Sequence, residues 1–112
     1  MTQKLIPLPA PIEAYFDAVN RGDLDGMSLP FAANAVVKDE GRTRTGRSAV
    51  RAWIEEVTEK YHPSLQVEGG AEEGGEATIV HVLVSGTFPS SPVRLRYAFK
   101  LRGGQITHLE IS

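Results

Sequence analysis

The chain has 112 residues, 41% of them hydrophobic and 23% charged, and a formal net charge of −2 at pH 7. These values support one domain with one packed core and give no basic excess to neutralise a phosphate backbone, so nucleic acid is not an expected partner. With no cysteine there is neither a disulfide framework nor a thiolate metal site; no apolar run nears the ~20 residues of a membrane span, and the opening Met1-Thr-Gln-Lys-Leu-Ile-Pro7 has no signal-peptide pattern, a combination expected of a cytoplasmic protein.

Leu5 to Pro11 carries three prolines, each of which fixes φ and removes a backbone donor, so no helix is expected to run through it. Pro11 suits the first turn of a helix over Pro11–Asn20. Ile12, Tyr15, Phe16 and Val19 then share one face of it, and Gly22 provides a left-handed cap. Asp23 caps a shorter helix containing Leu24 and Met27. Pro30 stops that helix, and Phe31 is an apolar anchor at its exit. A strand over Ala35–Asp39 follows, with Val37 and Asp39 on one face and Val36, Lys38 and Glu40 on the other. Gly41 and Gly46 bracket a turn rich in Arg and Thr. The long helix spans Ser48–Tyr61 with Ser48 as its N-cap. Val50, Trp53, Ile54, Val57 and Tyr61 make its apolar stripe, and Arg51 and Glu55 are spaced to pair on the exposed side.

Beyond Pro63 the pattern turns to strands. Leu65 and Val67 mark a short one, and Gly69-Gly70 and Gly74-Gly75 flank an acidic turn. Ala77–Gly86 is apolar on both faces and reads as a central strand. Phe88-Pro-Ser-Ser-Pro is a loop. Val93–Leu101 alternates, with Val93, Leu95, Tyr97, Phe99 and Leu101 on one face. Gly103-Gly104 is a hairpin turn, and Gln105–Ile111 is the last strand. Helices first and a mostly antiparallel meander after them make an α+β fold: a cone-shaped curved sheet with the long helix on its concave face and a mouth at one end.

Three stretches carry a resemblance: Asn20-Arg-Gly-Asp-Leu-Asp-Gly-Met27, Ala35-Val-Val-Lys-Asp39 and Gly46-Arg-Ser-Ala-Val-Arg-Ala-Trp53, with the Gly104-Gln-Ile106 turn and strand fitting too. In this order they resemble the nuclear transport factor 2-like superfamily, which includes the SnoaL-like polyketide cyclases and the ketosteroid isomerases. The resemblance spans nearly the whole chain and identifies the fold far better than the activity. It implies a hydrophobic cavity, a homodimer through the outer sheet face and chemistry without a cofactor. Carried over from the isomerases, Asp39 falls where the catalytic base would be and Tyr15 where the phenol of the oxyanion hole would be. The third position, a protonated Asp in those enzymes, falls on Tyr97 or Arg96, neither of them a carboxylic acid.

The residues themselves leave alternatives. Asp39 reads as a proton shuttle if its face is buried, or as an ion-paired turn residue held by Arg42, Arg44 or Arg47. His81 on the central strand reads as a general base, a satisfied core histidine or part of a dimer interface. Tyr97 and Tyr15 read as hydrogen-bond donors to a ligand or as core. Trp53, Val37, Phe31 and Phe99 are the candidate walls for a small apolar ligand. His62 and His108 read as solvated or interface residues. The three histidines lack metal-ligand spacing, so no metal is expected. Two functions follow: an isomerase, cyclase or hydratase working by proton transfer, or a non-catalytic binding or scaffold module.

Overall fold

The computed structural model describes residues 5–112. The expectation of no signal peptide rests largely on Met1–Lys4, which lie outside the described residues. The elements run β1 (Leu5–Ile6), α1 (Ala10–Arg21), α2 (Leu24–Ser28), β2 (Phe31–Asp39), β3 (Arg42–Thr45), α3 (Arg47–Tyr61), β4 (Ser64–Val67), β5 (Ala71–Gly74), β6 (Ala77–Ser85), β7 (Val93–Arg102) and β8 (Gln105–Ile111). The eight strands form one curved, unclosed sheet in the order β1-β5-β6-β7-β8-β2-β3, with β4 also on β6. β4 pairs with Val82–Ser85 and β5 with Ala77–Ile79, so the two share one edge of β6 and the sheet is seven strands wide. All pairings are antiparallel except β2 with β8. The fold is therefore α+β. No helix among the described residues is long and apolar enough to cross a membrane.

Local chemistry sets the helix ends. Gly22 closes α1 in the left-handed region at φ 68°, and its neighbour Asp23 caps α2 by accepting from the Gly26 N–H at 3.0 Å. Both follow the sequence. The start of α3 does not: Gly46, not Ser48, occupies the cap position, and no side chain caps it. Three further expectations are corrected. Residues 42–45 are a strand, because the two-residue Glu40-Gly41 turn folds the chain back so that Asp39 faces Arg42 and Val36 faces Thr45. Residues 71–74 are also a strand: Ala71 is fully buried and the open edge of β6 supplies the ladder, which outweighs the poor strand propensity of an Ala-Glu-Glu-Gly segment. β2 begins at Phe31 rather than Ala35, with a register shift between Phe31 and Val36.

The inward rows are Val80, Val82 and Val84 of β6, Tyr97 and Phe99 of β7, Ile106 and Leu109 of β8, and Ala35 and Val37 of β2, all buried. The step of three from Ile106 to Leu109 crosses the shift in β7–β8 register at Lys100/Leu101, which keeps both side chains inside. Ile12, Tyr15, Phe16 and Val19 of α1 and Val50, Trp53 and Ile54 of α3 cover this face. At the end of α1, Asn20 holds β4 as a neighbouring strand would: its Nδ2 donates to the Leu65 carbonyl at 2.9 Å and its Oδ1 accepts from the Leu65 N–H at 2.7 Å.

Truncating that amide leaves two backbone groups of β4 without partners. Asn20→Ala should therefore cost about 1–3 kcal/mol of unfolding free energy by urea titration; a loss within error of zero would show that the clamp does not hold β4.

Candidate active site

A cavity of about 320 Å³ lies between α1, α3 and the curved sheet, within the range that holds small ligands. Its walls are mostly apolar, among them Val19, Met27, Ile54, Leu65, Val84 and Leu95, with Tyr15, Tyr97, Trp53, Tyr61 and Phe88 as its aromatic members. Asp39 stands in the wall, in the inward row two residues beyond Val37, at the last position of β2 before the hairpin. The strand register puts it level with the middle of α3, and the Trp53 indole N–H donates to Asp39 Oδ2 at 3.1 Å.

Asp39 is half-buried, and loss of solvent raises its pKa. The Trp53 hydrogen bond works against that shift, because it favours the charged form. Glu40 adds to it by charge while its N–H opposes it, and the more distant Arg44 lowers it. Arginine does not hold Asp39: Arg44 is paired with Glu56, whose carboxyl it keeps below the usual range.

Two phenols complete the inner wall. Tyr15 is 4% exposed and Tyr97 5% exposed, both line the cavity, and among the described residues neither hydroxyl has a hydrogen-bond partner. Burial pushes both pKa values up, with the nearby Asp39 charge adding to the shift in each and Tyr97 adding to it in Tyr15. Both phenols are therefore protonated donors at neutral pH. Their rings belong to one cluster: Tyr15 meets Phe31 edge-on at 5.5 Å between centroids, Phe16 meets Tyr97 at 5.5 Å, and Phe99 lies 5.7 Å from Phe16 and 6.1 Å from Tyr97.

The mouth is built by the β2–β3 hairpin and the end of α3. Glu40 takes a left-handed backbone at φ 55°, a conformation unfavourable for a residue with a Cβ by roughly 1 kcal/mol. The Tyr61 hydroxyl donates to its carboxylate, 3.1 and 3.2 Å from the two oxygens. Outside the mouth lies a polar groove with Arg42, Arg44, Glu56, Glu59 and Lys60; Asp39, Glu40, Trp53, Val57 and Tyr61 border both spaces.

Of the residues singled out from sequence, Asp39, Tyr15, Tyr97 and Trp53 meet in this cavity. Phe31, Val37 and Phe99 lie behind its wall as core. His81 is elsewhere: it points from the outer face of the sheet, its side chain 49% exposed and its Nε2 3.7 Å from Glu72 Oε1. It pairs in the ladder with Arg96, in the row opposite Val80 and Val82. β6 is apolar in both rows, so alternation alone does not tell which row faces in. Sequence reasoning missed Glu40, Met27, Val57 and Phe88 as lining residues. Tyr61 belongs to the apolar stripe of α3, but nothing in the sequence joins it to Glu40. No three His, Asp or Glu side chains among the described residues converge as metal ligands would.

Residues 12–109 match the SnoaL-like domain family, and the chain belongs to that family. Among solved structures it is similar to a proposed polyketide cyclase of Sinorhizobium meliloti, with 36% identity over 94% of this chain and 95% of that one and a TM-score of 0.87. It is also similar to a protein of ketosteroid isomerase-like fold from Catenulispora acidiphila, solved in complex with trimethylamine (19% identity, 93% and 85% covered, TM-score 0.79). A third is an LEH-like epoxide hydrolase of M. tuberculosis (14% identity, 92% and 79% covered, TM-score 0.75). The latter two likenesses are of fold. No curated protein matches the chain.

The opposing influences on Asp39 can be separated. A carboxyl-carbon NMR titration should place its pKa above the ~3.9 of a free aspartate, and Trp53→Phe, which removes a donor to the charged form, should raise it further. Because the folded value lies above the unfolded one, the native state binds the extra proton between the two. The charged carboxylate therefore weakens the fold above the folded pKa, and that loss is relieved as pH falls through it. A pKa at or below the free value in the wild type would mean that burial does not dominate.

Proposed function

We propose that this SnoaL-like chain takes one small, largely apolar molecule into the cavity and moves a proton on it through Asp39, as an isomerase, cyclase or hydratase working without a cofactor. The observation that carries this reading is that a half-buried carboxylate and two buried tyrosines with unpartnered hydroxyls line one cavity, on α1 and on two strands of the sheet. As an acid–base group, Asp39 takes a proton from a carbon next to a carbonyl, or from an attacking hydroxyl or water, and later returns it. Taken from carbon, the electron pair left behind moves through the new C=C bond onto the carbonyl oxygen. Taken from a hydroxyl or water, the attacking oxygen bonds to the carbonyl (or conjugated) carbon and the broken π pair moves onto the substrate oxygen. Tyr15 and Tyr97 donate to that oxygen as it gains charge, in a site where little water competes. Tyr97 is one of the two residues, with Arg96, on which the protonated acid of the isomerase pattern falls, and a neutral phenol serves as the same kind of donor. Membership of the SnoaL-like family and the likeness to the proposed polyketide cyclase of S. meliloti are in keeping with an oxygen-bearing substrate of this sort.

A second reading is binding without turnover. Two facts favour it: His81 is on the far face and cannot act as a second base for Asp39, and β7 has no carboxylic acid at the third isomerase position. The two readings part on Asp39→Asn, which keeps size and a hydrogen-bond acceptor for Trp53. In a screen of apolar carbonyl compounds, the variant is expected to bind a hit with nearly the wild-type affinity and to lose turnover. Tyr97→Phe should lower kcat roughly 10²–10³-fold, the usual effect of losing an oxyanion donor. Full turnover in Asp39→Asn would remove Asp39 from the mechanism.

From the superfamily resemblance and the apolar outer row of β6 we also propose a cytoplasmic homodimer, paired through the outer sheet face. Leu83 lies there, partly exposed, beside Arg94. Velocity sedimentation should give a species of twice the chain mass, and Leu83→Glu should give the monomer; a wild-type monomer at micromolar concentration would dismiss the pairing.

A further inference from the structure

Charge in and around the cavity is segregated. Asp39 and Glu40 are its only carboxylates, and among the described residues no Lys, Arg or His lines it. The cations nearby stay outside: Arg44 is paired with Glu56, while Arg42 and Lys60 border only the groove. Lys60 stays on the groove side, its Nζ 5.0 Å from the centre of the neighbouring Tyr61 ring. The rim itself sets two carboxylates beside the Trp53 and Tyr61 rings. Carboxylates and the negative faces of aromatic rings both favour a cation. A ligand carboxylate or phosphate would meet like charge there, with no basic side chain on the cavity wall to offset its desolvation. Deeper in, the hydroxyls of Tyr15 and Tyr97 line the cavity and have no hydrogen-bond partner among the described residues, so the wall has polar capacity that the protein does not use.

We propose that the ligand is an apolar molecule bearing one basic amine, with its body in the cavity and its ammonium at the rim against Glu40, Trp53 and Tyr61. This deepens the reading of the cavity as a ligand site and does not depend on proton transfer by Asp39. An ammonium at the rim also keeps Asp39 ionised, since an opposite charge favours the charged form.

The test uses three probes with one naphthylmethyl-sized body, titrated calorimetrically into the intact protein at neutral pH: 1-naphthylmethylamine, 1-naphthalenemethanol and 1-naphthoate. The amine is expected to bind about tenfold more tightly than the alcohol, the range of a partly exposed cation–π contact plus a rim ion pair, and the naphthoate most weakly. Glu40→Gln should reduce the amine-to-alcohol ratio severalfold. Equal binding of amine and naphthoate, or an unchanged ratio in Glu40→Gln, would overturn the proposal. Binding of the alcohol with no preference for the amine would overturn it while leaving the cavity a ligand site. Binding of none of the three would overturn both.

Discussion

Five aromatic rings in contact, those of Tyr15, Phe16, Phe31, Tyr97 and Phe99, set the spacing on which the cavity depends. α1 supplies two neighbours in sequence, β7 supplies two residues of one row, and β2 supplies the ring at its first position. Close-packed rings, four of whose six contacts are edge to face, resist compression, so they hold α1 at a fixed distance from the sheet. Beyond the cluster the side chains between helix and sheet are shorter, Val19, Val84 and Leu95 among them, and they do not fill the gap that the rings keep open. Two of the five rings carry hydroxyls, and both line the cavity. The same packing that closes one end of the cone thus supplies polar groups at the floor of the other.

Asp39 depends on a different balance. Full burial would leave it neutral and unable to accept a proton; full exposure would leave it an ordinary weak base. Its place at the end of β2 puts it half in solvent, and the Trp53 N–H supports the charged form without adding a formal charge of its own. An arginine in that role would lower the pKa far more. The three arginines close to Asp39 in sequence could have done so. Instead Arg44 is turned to Glu56 on α3 and Arg42 lies in the outer groove.

Much of this could be read from the chain. Spacings of three and four placed α1 and α3, Gly22 and Asp23 fixed the junction between the first two helices, and the row from Val93 to Leu101 gave the inward face of β7. Alternation on β2 also put Asp39 in the row of Val37, which is the row that faces the cavity. Failures came where a segment takes its structure from a neighbour. Arg42–Thr45 and Ala71–Gly74 have little strand character alone and become strands because an open edge lies beside them. His81 shows the limit of alternation: with valines in one row and Ile79 and Leu83 in the other, nothing local says which row is buried. The Trp53–Asp39 bond spans fourteen residues and the Tyr61–Glu40 bond twenty-one. Neither has a local signature, since each exists only once α3 has docked on the β2–β3 hairpin.

The single parallel pairing joins the two halves of the site. Phe31 is aligned with Ile106 and Val37 with Leu109, partners more than seventy residues apart in sequence. Asp39 and Trp53 reach the Tyr97 side of the cavity through that seam, since β8 lies between β2 and β7. So long a loop is slow to close and carries its entropy cost until the contacts form. The binding site is thus a property of the whole assembled sheet, and neither half of the chain contains it. Whatever occupies the cavity has affinity for the folded chain alone, and by mass action its presence holds the seam closed.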